Sequence, residues 1–148
     1  MKPIRSCEVY IDGSSRGNPG PAGVGVVFVD GDAKSIRQFR AYLGETTNNV
    51  AEYLALLYAL QEALQLGMST LRVKTDSELL ARQVNGQYRV KDPQLRLFHD
   101  LARHLVQGFR AFSIEHIPRT QNRLADRLAN QAVTSLKTPV LSQPSAKR

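Results

Sequence analysis

Between Cys7 and Asp12 apolar and polar residues alternate, with Cys7, Val9 and Ile11 on one side and Glu8, Tyr10 and Asp12 on the other. A period of two is that of a strand with one buried face, and Asp12-Gly13 closes it with turn formers. The run GSSRGNPGPAG is dense in turn residues, and the β-branched VGVVFVDGD that follows reads as a second strand ending in another turn. SIRQFRAYLG puts Phe39, Ala41 and Leu43 on one face, so the first three strands form a meander. Near Asn49 the spacing becomes helical. Glu52, Leu56, Ala59 and Ala63 fall in one row, Gln61, Glu62 and Gln65 on a polar face, and the helix runs to about Leu66 before Gly67. TLRVKTD then reads as a strand ending at Asp76. Helices over Ser77–Val84 and Pro93–Gln107 follow, then the strand FRAFSIEHI. The last helix, NRLADRLANQAVTSL, lines up Leu124, Leu128, Ala132 and Leu136 in one stripe.

The order is β-β-β-α-β-α-α-β-α, with no repeat and no long linker. Strands joined through helices run parallel with right-handed crossovers, whereas those joined by turns run antiparallel. One α/β domain over residues 1–137 is expected, a five-stranded mixed sheet whose first three strands are antiparallel and the rest parallel, with helices on both faces. Residues 138–148 are expected to form a disordered tail.

Composition narrows the function. Hydrophobic residues make up 42% of the 148 and charged residues 22%, a globular balance that indicates no membrane span. Lys and Arg number 20 against 13 Asp and Glu, a formal charge of +7 that favours an anionic partner, nucleic acid first. Cys7 is the single cysteine, which excludes a disulfide framework within the chain and suits a reducing compartment. The N-terminus carries no apolar signal segment, so a cytoplasmic protein, acting as a monomer, is expected.

Against this basic background the placement of four acids stands out. Asp12 and Asp76 sit at the C-terminal ends of predicted strands, the edge where open α/β sheets bind ligands. Glu52 lies in the first turn of its helix and Asp126 in the first turns of the last one. Each has an ordinary explanation: turn residues for Asp12 and Asp76, a charge near a helix N-terminus for Asp126. Glu52 could be the N3 partner of an Asn49 cap, as in a capping box. Together they could instead converge at one point, where mutual repulsion calls for divalent cations such as Mg²⁺ or Mn²⁺. Glycines 17, 20, 23 and 25 do not spell a dinucleotide-binding loop, and a strand follows them rather than a helix.

YIDGSSRGNPGPAGVGVV, TTNNVAEYLALLYAL, VKTDSELLARQV and RTQNRLADRLANQA, read together from Tyr10 to about Ala132, resemble ribonuclease H of type 1. The resemblance implies a ribonuclease H-like fold and an endonuclease that hydrolyses the RNA strand of RNA/DNA hybrids with two Mg²⁺ ions, Mn²⁺ being an alternative, leaving 5′-phosphate and 3′-hydroxyl ends. By similarity Asp12 bridges both ions, Asp126 helps hold the one that activates water, and Glu52 with Asp76 hold the one at the leaving oxygen. Asn18, Asn48 and Asn49 match positions that contact the hybrid, and Thr47 resembles a residue that helps hold a DNA-strand phosphate. Arg89 and Lys91 are candidates for backbone phosphates. Many relatives carry a histidine in the loop before the last acid; here that loop offers Arg119, Gln121 and Asn122, with Arg119 a candidate electrostatic substitute that cannot readily act as a base. His99, His104 and His116 read as structural. NGQYRVKDPQL is too short for the tryptophan-bearing basic handle of some relatives. Within the fold, an integrase or junction resolvase is the rival, disfavoured by NNVAE and GNPGP. A non-catalytic binder of hybrid or double-stranded RNA is the rival from another class, disfavoured because it has no need of four acids.

Overall fold

The computed structural model describes residues 5–31, 34–135 and 140–142. Strands β1 (Ser6–Ser15), β2 (Gly20–Val29) and β3 (Ser35–Thr46) form the antiparallel meander. Helix α1 (Asn48–Gln65), β4 (Thr70–Thr75), α2 (Glu78–Val84), α3 (Pro93–Val106), β5 (Ala111–His116) and α4 (Arg123–Ser135) follow, with one 3₁₀ turn at Arg119–Gln121 before α4. β4 pairs in parallel with β1, and β5 in parallel with β4. The expected five-stranded mixed sheet is present. A sixth strand, β6 (Val140–Ser142), adds antiparallel to β3, giving the order β5-β4-β1-β2-β3-β6. Disorder from residue 138 is therefore corrected for these three residues, because the outer edge of β3 offers unpaired backbone groups that an extended segment can satisfy. The other residues of that tail lie outside those described.

Alternation assigns the two faces. Cys7, Val9 and Ile11 pack with Val24, Val26, Phe28, Leu71 and Val73 under α1, α2 and α3, and α1 contributes Leu56, Ala59, Leu60 and Ala63. Tyr10, Val27 and Val29 face the other way, against Leu124, Ala125 and Leu128 of α4. Truncating one of these buried leucines to alanine costs about 2–5 kcal/mol. Cys7 is a core residue whose thiol burial pushes up to about 11, so it stays protonated and unreactive.

The stripe expected on α4 faces the sheet at Leu128 and Ala132, and the buried face is wider than that stripe. Ala125, Leu128, Ala129, Ala132 and Val133 are buried, Leu124 is half-buried, and Leu136 lies outside the described residues. The helix meets the sheet along its alanines because it lies on two glycines of β2: an added Cβ would stand 2.1 Å from the Ala125 carbonyl oxygen at Gly25 and 2.5 Å from that of Ala129 at Gly23.

Candidate active site

β1 and β4 are parallel neighbours, so their C-terminal ends open on one edge. Ile11 pairs with Thr75 in the last rung, which sets Asp12 and Asp76, the next residue of each chain segment, side by side. Asp12 is 4% exposed, and the Asp76 side chain is 8% exposed.

Glu52 arrives from above this edge. Thr47, not an asparagine, caps α1: its hydroxyl oxygen accepts from the Val50 N–H at 3.3 Å. The helix begins at Asn48, so Glu52 is its fifth residue, two past the position from which a capping box reaches back, and the capping-box reading with Asn49 is corrected. The Glu52 carboxylate instead accepts from the Gly13 N–H of β1 at 3.0 Å while only 6% exposed. Gly13 makes this approach possible, since a Cβ there would lie 2.1 Å from the Ala51 carbonyl oxygen. Asp126 comes from the opposite face of the sheet. Gly25, the antiparallel partner of Asp12, admits the first turn of α4 at Ala125, which brings Asp126 close enough to raise the pKa of the Asp12 carboxyl. Asn130 Nδ2 donates to the Asp126 carbonyl oxygen at 3.0 Å and to its Oδ1 at 3.4 Å.

The four acids therefore meet. One carboxylate oxygen each from Asp12, Glu52 and Asp76 lies within 4.8 Å of the others, and Asp126 joins through Asp12. Burial, then the charges of Asp76 and Asp126, push the Asp12 carboxyl up to about 8. Burial, then Asp12 and Asp76, hold Glu52 well above the usual carboxylate range, although the Gly13 hydrogen bond opposes the rise. Asp12 Oδ2 and Asp76 Oδ2 are buried without a hydrogen-bond partner. Orphaned hard oxygens of like charge are what a divalent cation needs as ligands, so the donor set fits Mg²⁺ or Mn²⁺. The Arg119 guanidinium, on an 84% exposed side chain, stands 4.0 Å from Asp76 Oδ2, too far for a hydrogen bond yet close enough to favour the charged forms of Asp12 and Glu52.

The remaining predicted residues fall in two groups. Asn18 Oδ1 accepts from the Asn48 N–H at 3.0 Å, and Asn48 Oδ1 accepts from the Ser15 N–H at 3.2 Å. These bonds knit the turn after β1 to the start of α1, and Asn18, Asn48 and Asn49 are exposed there beside half-buried Thr47. Arg89 and Lys91 lie exposed on the connection from α2 to α3, with no ion-pair partner among the described residues. His99 binds the Gln83 carbonyl at 3.2 Å, whereas His104 and His116 are exposed. Sequence reading took Gly13 for a turn former and weighed Gly25 only against a dinucleotide loop; β1 in fact runs on through Gly13 to Ser15, and Gly25 meets Asp12 only across the sheet. The same reading gave Asn122 no role, although that residue is 1% exposed.

A family model described as reverse transcriptase-like matches residues 10–132. Ribonuclease HI of Halobacterium salinarum is 45% identical over 124 residues, 84% of this chain and 62% of that protein. This chain thus spans less than two thirds of that relative's length. The crystal structure of RNase H1 from the same organism matches with a TM-score of 0.86 at 43% identity, over 88% of this chain and 98% of that one. LC11-RNase H1, solved in complex with an RNA/DNA hybrid, gives a TM-score of 0.84 at 41% identity, over 88% of this chain and 98% of that one. Ribonuclease H of Nitrosomonas eutropha is 34% identical over 155 residues, 90% of this chain and 93% of that protein. With its sheet order, its acids at one edge and similarity over nearly all of its described length, the chain belongs to the ribonuclease HI family.

Proposed function

We propose that this chain is an endoribonuclease that hydrolyses the RNA strand of RNA/DNA hybrids, leaving 5′-phosphate and 3′-hydroxyl ends. The observation that carries the reading is the buried group Asp12, Glu52 and Asp76 with Asp126 beside it, which is self-repelling and under-bonded unless cations occupy it. When bound, a pair of Mg²⁺ or Mn²⁺ ions lowers the pKa of the attacking water and offsets charge on the leaving 3′ oxygen. Asp12, Glu52, Asp76 and Asp126 would hold these ions: Asp12 would serve both, Asp126 would help hold the one that activates water, and Glu52 with Asp76 the one at the leaving oxygen. The Gly13 N–H fixes the Glu52 carboxylate and Asn130 steadies Asp126, so neither ligand must reorganise as charge develops.

Around the acids the chain supplies recognition. Asn18, Asn48 and Asn49 present short polar groups suited to the wide minor groove of an A-like hybrid, where 2′-hydroxyls are displayed. Thr47 lies beside them for a phosphate of the DNA strand. Arg89 and Lys91 give positive charge for backbone phosphates. Arg119 takes the position of the family's loop histidine as a fixed cation that draws in the scissile phosphate, since its pKa bars it from proton transfer. The reading carries a monomer in the cytoplasm with it; no helix among the described residues is long and apolar enough to cross a membrane.

One assay tests this: a hybrid, a double-stranded RNA and a DNA duplex are incubated with the protein in Mg²⁺ and in Mn²⁺, with Asp12→Asn as control. Cleavage confined to the RNA of the hybrid, abolished in the variant, is expected. An intact hybrid overturns the enzyme reading, and equal cutting of double-stranded RNA overturns the substrate assignment.

A further inference from the structure

Asn122 is among the most deeply buried polar residues described, 1% exposed, at the boundary of α4. Its backbone already joins two elements. The N–H donates to the Arg119 carbonyl at 2.9 Å, closing the 3₁₀ turn, and the carbonyl accepts from the Asp126 N–H at 3.1 Å, opening the helix. An asparagine in this place ordinarily folds its side chain back to cap its own helix. Here Nδ2 instead donates at 2.8 Å to the carbonyl of Ile11, the residue just before Asp12 on β1. Because that carbonyl can only accept, the amide orientation is fixed.

The neighbouring packing shows what this bond adds. α4 lies on β2 through Ala125 and Ala129 over Gly25 and Gly23. Leu124 and Leu128 pack beside this seam against Tyr10, Val27 and Val29, and Arg16 and Arg40 bond to Asn130, Thr134 and Gln131 farther along the helix. The Asn122 bond is a directional tie between the start of α4 and the β1 residue next to Asp12. The amide is also retained at a cost, since Asn122 Oδ1 is buried without a partner. An apolar side chain of the same branched skeleton, leucine, would carry no unpartnered oxygen.

We propose that Asn122 is a positioning residue that sets the separation of Asp12 and Asp126 and seats the Arg119 turn over them. This rests on the nuclease reading above. It makes no contact with substrate and acts through Asp126. Removing the tie lets the first turn of α4 shift while Asp12, Glu52 and Asp76 remain together.

The test uses Asn122→Leu, which keeps the branched heavy-atom skeleton, Asn122→Ala, and Asn122→Leu combined with Asp126→Asn. Well below the unfolding midpoint of each variant, kcat on the hybrid is expected to fall by about 10–100-fold, with KM within about twofold. The combined variant should be no slower than Asp126→Asn alone, as for two residues acting through one group. Calorimetric Mn²⁺ binding should keep the wild-type affinity at the Asp12, Glu52 and Asp76 ligands. Folded variants with wild-type kcat, effects that multiply in the combined variant, or failure of both single variants to fold would each overturn the positioning role. If the wild-type chain does not cut the hybrid, the nuclease reading fails by itself. The tie is then judged on amide hydrogen exchange: faster exchange at Asp126 with Ala129 unchanged in Asn122→Leu supports it, and unchanged exchange at Asp126 overturns it.

Discussion

Asp12→Asn should make the metal-free protein more stable while abolishing its activity. The folded chain keeps the Asp12 proton up to about pH 8, whereas the unfolded chain gives it up near 3.8. A folded-state value raised above the unfolded one means that the folded state holds more protons across that window. Stability is therefore full below about pH 4 and is lost as the pH rises toward about 8. Each pH unit of difference is worth about 1.4 kcal/mol, and because Glu52, Asp76 and Asp126 share the same repulsion, one amide substitution should recover on the order of 2–4 kcal/mol at pH 8. For a chain of this length that raises the melting temperature by about 5–15 °C. Thermal unfolding in EDTA from pH 5 to 9 checks it: the wild-type curve should descend with pH and the variant's should be flatter and higher. Mn²⁺ at about a hundredfold over its dissociation constant should restore roughly 2.7 kcal/mol to the wild type and much less to the variant. Parallel pH curves, or a variant less stable than wild type at pH 8, would refute the claim that these carboxylates are held together against their repulsion.

Other substitutions separate scaffold from chemistry. Gly25→Ala places a Cβ 2.1 Å from the Ala125 carbonyl oxygen, so it should destabilise the fold by about 1–3 kcal/mol and depress cleavage more than stability, measured by denaturant unfolding alongside hybrid turnover. Thr47→Ala removes the α1 cap and should cost about 1 kcal/mol in the same unfolding assay, whereas Asn49→Ala, exposed and without a cap role, should leave stability unchanged and raise KM. Arg119→Ala should leave the melting temperature within a degree or so, because the side chain is solvent-exposed, yet lower cleavage by about tenfold or more; Arg119→Lys should recover part of the loss.

The fold could be read from the sequence where spacing alone determines the element. The alternation at Cys7, Val9 and Ile11 and the row of Glu52, Leu56, Ala59 and Ala63 each returned as buried faces, since period and burial are the same physical fact. The convergence of Asp12 and Asp76 was legible for a similar reason: parallel β1 and β4 leave them no place but a common edge. Contacts set by backbone proximity were not legible. Nothing in the spacing says that α4 rides on Gly23 and Gly25 through alanines rather than leucines, or that Gly13 receives Glu52. The cap was misplaced by two residues because Thr47, Asn48 and Asn49 are all capable caps, and tertiary bonds from Ser15 and Asn18 engage Asn48 elsewhere. Asn122 escaped notice because a polar residue in a loop predicts exposure, and only the structure reveals its bond to Ile11.

The central claim is that four converging acids cut the RNA of a hybrid with the help of divalent cations. Its most direct test is a hybrid with its RNA and DNA strands separately labelled at the 5′ end, incubated with the wild-type chain in Mg²⁺, in Mn²⁺ and in EDTA, with product ends identified. RNA fragments bearing 3′-hydroxyl and 5′-phosphate ends, formed only with a cation and with the DNA strand intact, are the predicted result. RNA left whole in both cations, or cut equally in EDTA, would contradict it.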